Sequence, residues 1–450
     1  MIKIIPTIGP ITQSVKDIKY INKYANIFRL NSSHNTINWH YGIAKKIKLI
    51  SKENKILIDI PGIKPRTLNK LDISIKKNET VYFYFKKKPK GLINITNIIP
   101  LSNPIPKIQK NIKSFSVSDG TFSFKLLKYN KTFLSGIAQQ SFLLKPNKGL
   151  NIPLSIYEDN LQKKKYFNFL EKINKIDFDA IGLSFVQNYK IINLIKKKYT
   201  NKIIVSKIEN FEGLKNVKKI CDVSDVIMID RGDLAAEIGN ENLFEAIIKI
   251  SEVCKMFNKP LIMATENLDS MIQNKLPTKS EIFALAYYNK INVDCIMLSD
   301  ETTTSKNWKN ILNWTGNFFQ KQSVKKSSKL ILKDTFWDII KDNLDIPIII
   351  FTKKGLSLNN VENLSNYKNI IVFTESSKVK FQCQFKKNIN VIQTDKFDNK
   401  NFQKFIKKNI LRNSKKIFKI SNKIIIIYIS YPRKNSRANT AMLVTKDDFK

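Results

Sequence analysis

Through the first two thirds of the chain, apolar residues arrive in two rhythms. Short runs rich in Ile, Val and Leu occupy 4–10, 26–31, 56–62, 180–185, 203–207, 226–230, 261–265 and 295–299. Between them, apolar side chains return every third or fourth position, as at 15–24, 244–258 and 281–288. The first rhythm predicts strands buried on both faces, as in a parallel sheet, and the second predicts helices that cover it. Eight such strands alternating with helices predict an α/β protein built on a (β/α)8 barrel.

One gap breaks the alternation. Between Thr67 and Pro146 the pattern changes to period two at 80–85 and 115–118, followed by Asp119-Gly120, which reads as a hairpin turn, and by 121–124. The segment is too long for a plain loop. A small β-barrel lid domain over 68–146, inserted after the third barrel strand, is therefore expected, placed to close over a substrate and exclude water. The barrel domain is then 1–67 with 147–324. Buried-strand runs start again at 348–352, 370–374 and 424–429, with a shorter candidate at 390–392, and predict a C-terminal α/β domain over 325–450. Its segment Thr352-Lys353-Lys354-Gly355-Leu356-Ser357 reads either as a cradle for an effector phosphate or as a plain strand-to-helix turn.

A barrel of this kind carries its chemistry at the C-terminal ends of its strands. In Val205-Ser206-Lys207-Ile208-Glu209-Asn210 and Ile227-Met228-Ile229-Asp230-Arg231-Gly232-Asp233, apolar runs stop at a lysine and several carboxylates. A lysine beside paired carboxylates suits a site that holds a divalent cation and an anionic oxyacid together. Taken alone, either segment is also what any α/β protein shows, a strand end with solvated charges. The remaining ends carry Arg29, Asn31, Ser33 and His34, then Asp59, Lys64 and Arg66, then Thr265, then Asp300 and Glu301. Collecting so many polar groups on one rim is costly unless a ligand and a metal lie among them.

The formal net charge of +41 first suggests a polyanionic partner. Yet the lysines are spread along the whole chain with an excess of Ile and Asn, as in Asn174-Lys175-Ile176 and Lys407-Lys408-Asn409-Ile410. Codons for these three residues are A/T-rich, so coding bias accounts for the excess and no specific nucleic acid partner is expected. The positive field still speeds the arrival of phosphorylated substrates. Cys221, Cys254, Cys295 and Cys383 have no paired spacing, which speaks against a disulfide framework or a zinc site. No signal-like segment opens the chain and no apolar run has the length of a membrane span, so a soluble, cytoplasmic protein without a membrane partner is expected.

The rim residues, in this order, resemble the pyruvate kinase family. The resemblance runs through Thr7-Ile8-Gly9-Pro10, Arg29-Leu30-Asn31-Ser32-Ser33-His34, Asp59 to Thr67, Ser118-Asp119-Gly120, Lys148-Gly149-Leu150-Asn151-Ile152-Pro153, Ser206 to Asn210, Arg231-Gly232-Asp233-Leu234, Ala264-Thr265, Leu268-Asp269-Ser270-Met271, Pro277-Thr278-Lys279-Ser280-Glu281 and Met297-Leu298-Ser299. It implies a glycolytic phosphotransferase that moves the phosphoryl group of phosphoenolpyruvate to ADP, giving pyruvate and ATP, and a homotetramer. By the same resemblance Glu209 and Asp233 hold Mg2+, which Mn2+ can replace, and Lys207 and Arg29 grip the phosphoryl group. Gly232, Asp233 and Thr265 receive the substrate carboxylate, Thr265 also acting with water where the enolate is protonated. His34 and Arg66 lie at the nucleotide, Arg66 counting among the catalytic groups as well. From the residues alone, His34 is also readable as a satisfied polar group near a turn, and His40 is read as structural.

The third strand departs from the family pattern. Many relatives read Asp-Thr-Lys-Gly-Pro-Glu-Ile-Arg-Thr where this chain has Asp59-Ile60-Pro61-Gly62-Ile63-Lys64-Pro65-Arg66-Thr67. In relatives with the glutamate a bound K+ helps hold substrate, and its site maps onto Asn31, Ser33 and Asp59. Lys64 brings its own ammonium into that neighbourhood, so a K+ requirement is not expected. Asp230, Glu266 and Asp300 stand where alanine, glutamine and glycine are common, and Ser118 replaces the first aspartate of the lid turn; these changes either pair with surplus lysines or weaken substrate binding and closure. Two rival readings are a catalytically silent barrel kept as a binding subunit and a different phosphoenolpyruvate or pyruvate enzyme. The joint presence of Arg29, Asp59, Arg66, Lys207, Glu209, Asp233 and Thr265 opposes the first, and the inserted domain opposes the second.

Overall fold

The eight buried runs form the centre of the structure, a computed structural model that describes residues 1–88, 97–108, 112–322, 346–353, 355, 369–398, 401–419, 421–428 and 440–449. The barrel strands, numbered β1 to β8, span Lys3–Pro6, Ile27–Asn31, Lys55–Ile60, Ala180–Leu183, Ile203–Ile208, Val226–Asp230, Leu261–Ala264 and Cys295–Leu298. They make one sheet in the order β1-β8-β7-β6-β5-β4-β3-β2. A parallel bridge between Thr7 and Arg29 joins its two edges. β5 and β6 are buried at every position, as their unbroken apolar runs require. The first strand ends at Pro6 rather than Pro10, and the chain stays tied to both neighbours for two residues more, the Thr7 N–H donating to Leu298 O in β8 and the Ile8 N–H to Arg29 O in β2.

Local chemistry starts the covering helices. Ser14, Thr36, Asn188 and Asn210 accept first-turn N–H groups of helices Val15–Ile21, Ile37–Ile50, Tyr189–Lys198 and Phe211–Lys215. Thr278 and Glu281 form a reciprocal capping box on helix Lys279–Lys290, which gives the segment Pro277 to Glu281 a structural role.

At the opposite end of the barrel one device recurs. Asp179, just before β4, accepts the Ile56 N–H of β3 at 2.9 Å. Asp225, before β6, accepts the Ile204 N–H of β5 at 2.9 Å, and Asp294, before β8, accepts the Leu261 N–H of β7 at 3.1 Å. Each carboxylate satisfies a backbone donor at the start of the neighbouring strand.

The insert after β3 is a six-stranded sheet in the order Leu150–Asn151, Ser114–Val117, Phe122–Tyr129, Phe133–Ala138, Thr80–Phe85, Ile98–Leu101. A two-stranded piece, Ile73–Ile75 with Phe142–Leu144, lies beside it in sequence. Phe83, Phe115 and Phe124 fill its core, the last two stacked 4.9 Å apart. The expected hairpin turn is present, with Ser118, Asp119 and Gly120 all left-handed at φ of 58°, 52° and 91°.

The chain forms two compact units, and barrel and insert share the one made of Ile4–Cys254 and Leu261–Asn313. The other contains Met1–Lys3, Lys255–Pro260 and Trp314–Lys450. Its five-stranded sheet runs Ile389–Gln393, Ile370–Thr374, Ile348–Phe351, Lys423–Tyr428, Thr440–Thr445, with only the last strand antiparallel. The short run near Asn390 is thus a full strand. Lys354, Leu356 and Ser357 of the possible phosphate cradle lie outside the described residues, as does Ile429; the Gly355 N–H donates to Thr352 Oγ1 at 3.0 Å. Among the described residues no helix is long and apolar enough to cross a membrane.

Candidate active site

The C-terminal ends of the barrel strands open into a cleft of about 900 Å3. Every site residue singled out from the sequence lines it: Arg29, Asn31, Ser33, His34, Asp59, Lys64, Arg66, Lys207, Glu209, Gly232, Asp233 and Thr265. Glu301, one of the rim carboxylates, instead turns inward and accepts the N–H groups of Leu268 at 3.2 Å and Ser299 at 2.6 Å.

At the bottom of the cleft the strand ends deliver a buried ionic cluster. Arg29, from β2, places Nε and Nη2 on Asp59 Oδ2 of β3 at 3.0 and 2.7 Å, and Nη1 donates to Thr7 Oγ1 at 3.1 Å. Lys207, from β5, sits with Nζ 3.2 Å from Asp59 Oδ2, 2.7 Å from Glu209 Oε1 and 3.3 Å from Asp230 Oδ2. Ser184 ties the cluster together, accepting from Lys207 Nζ at 3.3 Å and donating to Asp59 Oδ1 at 3.1 Å. Burial alone would discharge these groups, but the opposite charges prevail. Asp59, Glu209 and Asp230 overcome desolvation to hold the Lys207 pKa far above its usual value, and Lys207 with Arg29 does the same in the other direction for Asp59.

Glu209 behaves differently. Its burial, against Lys207 but reinforced by Asp230 and Asp233, pushes the carboxyl up to about 8. One oxygen accepts the Phe185 N–H, while Oε1 meets Lys207 too obliquely for a hydrogen bond. Glu209, Asp230 and Asp233 each offer an oxygen within 4.8 Å of the others. A trio of hard oxygen donors, one with an unsatisfied buried lone pair, fits a divalent cation. Charge agrees with this. Once all five are ionised, as a bound cation would require, Asp59, Asp119, Glu209, Asp230 and Asp233 outnumber the cations paired with them, Arg29, Lys64 and Lys207, by two, which one divalent cation balances. Asp230 was missed by sequence reasoning as a candidate ligand, although it closes β6 directly ahead of Arg231-Gly232-Asp233.

Lys64 bridges lid and barrel. Its ammonium pairs with Asp233 and, 3.1 Å away, with Asp119 in the lid turn, rather than with Asn31, Ser33 or Asp59. Desolvation opposes its charge, but Asp233 and Asp119 raise its pKa well above the ordinary lysine value. The stem passes over Gly149, where a Cβ would fall 2.6 Å from Lys64 Cε. At the end of β7, Thr265 and Glu266 are consecutively left-handed at φ of 61° and 50°, an uncommon conformation for such residues. The bend lets Thr265 Oγ1 donate to Asp230 Oδ1 at 3.1 Å and accept the Gly232 N–H at 3.3 Å, while Arg231 donates to Thr265 O. His34 stands exposed at the rim, and Arg66 donates to Asn147 O at 3.1 Å. Buried His40 contacts His34 O through Nε2 at 2.8 Å, in keeping with a structural role.

The family model for the pyruvate kinase barrel domain matches residues 1–310. The chain belongs to the pyruvate kinase family. It is 30% identical over 322 residues to a pyruvate kinase of Trypanoplasma borreli, covering 68% of this chain and 63% of that one. With a pyruvate kinase of Thermotoga maritima it shares 31% identity over 319 residues, covering 68% of this chain and 67% of the relative. The matched stretch thus spans about two thirds of the length of these pyruvate kinases. A crystal structure of a pyruvate kinase from Cryptosporidium parvum superposes with a TM-score of 0.79 at 24% identity, covering 99% of this chain and 96% of that one, and so shares the fold. The pyruvate kinase family uses a divalent metal, which suits the carboxylate trio. Besides Asp230, the sequence reading passed over Ser184, hidden in an ordinary strand-end Leu-Ser-Phe, and gave Asp119 no role of its own.

Proposed function

We propose that this chain is an active, cytoplasmic pyruvate kinase that transfers the phosphoryl group of phosphoenolpyruvate to ADP. The observation that carries the reading is the buried Lys207 ammonium, fixed at the barrel mouth by Asp59, Glu209 and Asp230 with the Arg29 guanidinium beside it. Phosphoryl transfer asks of a protein mainly positioning and charge stabilisation. Two preorganised cations in a water-poor cleft meet that demand. Lys207 and Arg29 neutralise the oxygens of the moving group as its bond to the enol oxygen breaks and a bond to the ADP β-phosphate oxygen forms. The Gly232 and Asp233 amides, in the first turn of helix Arg231–Ile238, and the Thr265 hydroxyl receive the substrate carboxylate. Thr265, too weak an acid alone, holds the water that protonates the enolate carbon to give pyruvate. His34 and Arg66 meet the nucleotide.

Glu209, Asp230 and Asp233 would hold Mg2+, or Mn2+ in its place, which would supply positive charge to the anionic substrate. K+ is not needed. In the pattern common among relatives, glutamate at position 64 and alanine at 230 would leave carboxylates in excess of cations by three, as one divalent and one monovalent ion require; here the excess of two calls for the divalent ion alone. A homotetramer completes the reading on family grounds.

Pyruvate formation from phosphoenolpyruvate and ADP with Mg2+ is expected to proceed in K+-free buffer and to change little when K+ is added. Lys207→Met is expected to abolish turnover while leaving the folded state intact. No turnover by the unaltered chain with or without K+, or full activity of Lys207→Met, would overturn the proposal.

A further inference from the structure

Helix Arg231–Ile238 carries Gly232 and Asp233 in its first turn, and that end is tied to Thr265, just past β7. Its last turn is tied elsewhere, to the segment by which the chain returns from the insert. The Leu154 N–H donates to Glu237 O at 3.2 Å, and the Tyr157 hydroxyl donates to Glu237 Oε1 at 3.1 Å. Tyr157 is itself clamped: its N–H donates to Gln187 Oε1 at 2.8 Å, its carbonyl accepts from Gln187 Nε2 at 2.9 Å, and its ring lies against Phe185. The same segment starts as the edge strand Leu150–Asn151 of the insert. The insert's turn meets the helix as well, since a Cβ on Gly120 would fall 3.4 Å from that of Ala236.

Core packing does not ask for this pair. Glu237 and Tyr157 are both buried, and a buried carboxyl is costly where leucine would fill the space. What the carboxyl adds is direction, because a hydrogen bond fixes the rotation of a helix about its axis and apolar contact does not. Glu237 stands four residues after Asp233, so the two share a helix face. A roll that let go of Tyr157 would turn Asp233 away from Glu209 and Asp230, whose oxygens lie within 4.8 Å of its own.

We infer that Glu237, held by Tyr157, is a positioning residue: it sets the roll of helix Arg231–Ile238, so that Asp233 meets the divalent cation and the Gly232 amide meets the substrate carboxylate. Through Tyr157 and Leu154 that setting is tied to the insert. The inference rests on the reading of the site given above.

Free Mn2+, followed by its EPR signal as the whole chain is titrated without substrate, tests it. Tyr157→Phe and Glu237→Leu are each expected to weaken Mn2+ binding about tenfold. Burial, against the nearby Lys64, lifts Glu237 to about 8, so near pH 7 the side chain is neutral and Glu237→Gln is expected to restore most of the affinity. Asp225→Ala, at the far end of the barrel, serves as the control for stability alone and leaves Mn2+ binding unchanged. In turnover, KM for phosphoenolpyruvate rises in Tyr157→Phe while KM for ADP does not follow. Unchanged Mn2+ affinity in both Tyr157→Phe and Glu237→Leu, an equal loss in Asp225→Ala, or a Glu237→Gln chain as weak as Glu237→Leu would overturn the inference, as would no Mn2+ binding by the unaltered chain. Mn2+ binding that depends on Tyr157 in a chain that forms no pyruvate would instead remove the phosphoryl-transfer reading and leave this role of Glu237 standing.

Discussion

Lys64 and Asp230 make opposite changes of charge about one cluster, and each is intelligible only with the other. Lys64 lends an ammonium to Asp233 and Asp119, while Asp230 adds a carboxylate beside Lys207. Lys64→Glu alone would raise the carboxylate excess to four, more than one divalent and one monovalent ion balance; adding Asp230→Ala returns it to three. The double variant is therefore expected to show activity that depends on K+, and the single variant to stay weak with or without it. Turnover at fixed Mg2+ across a K+ titration measures this, and equal K+ stimulation of the two variants would contradict it. Lys207, Glu209 and Asp233 were legible in the sequence because apolar runs stop at them. Asp230 was not, since the last residue of a strand reveals its facing only once the barrel closes.

Elements in this barrel are fixed as much at their silent end as at the cleft. Asp225 is buried, accepts the Ile204 N–H and pairs with Lys196 at 2.8 Å. Asp225→Ala leaves that donor unmatched and takes the carboxylate from Lys196, which keeps Val223 O, and is expected to cost about 1–3 kcal/mol in urea unfolding while turnover of the remaining folded protein holds. A loss within error would remove the carboxylate from the account of barrel stability. Strand existence was readable from sequence, since Ile- and Val-rich runs of this length have few other uses. Strand ends were less so: past Pro6 the first run still bonds to both neighbours through the N–H groups of Thr7 and Ile8, and where that pairing stops no local pattern records.

For the molecule as a whole, buried acids tie stability to pH. Burial lifts Glu209 and Glu237 to about 8 and Glu301 to about 7, from an ordinary value of 4.5. Between those limits the folded chain holds protons that the unfolded chain has released, so stability falls as pH rises from about 5 to 8 when no divalent metal is bound. The self-repulsion of a chain at +41 eases over the same range and works the other way, so the measurement belongs in high NaCl. Under those conditions, with EDTA, Tm is expected to fall toward pH 8, and Mg2+ to raise it more at pH 8 than at pH 5. Glu237→Gln should flatten part of the slope, and a Tm independent of pH would contradict the assignment. The barrel, insert and second α/β unit were all legible as changes of hydrophobic rhythm. The buried acids were not, because Glu237 on a helix reads like any solvated glutamate.

The three aspartates at the far end of the barrel also give it a grain. β3 is stitched to β4, β5 to β6 and β7 to β8, while among the described residues no such carboxylate joins β4 to β5 or β6 to β7. The barrel is built in twos, and a gene that split, duplicated or lengthened it between those pairs would cut no stitch.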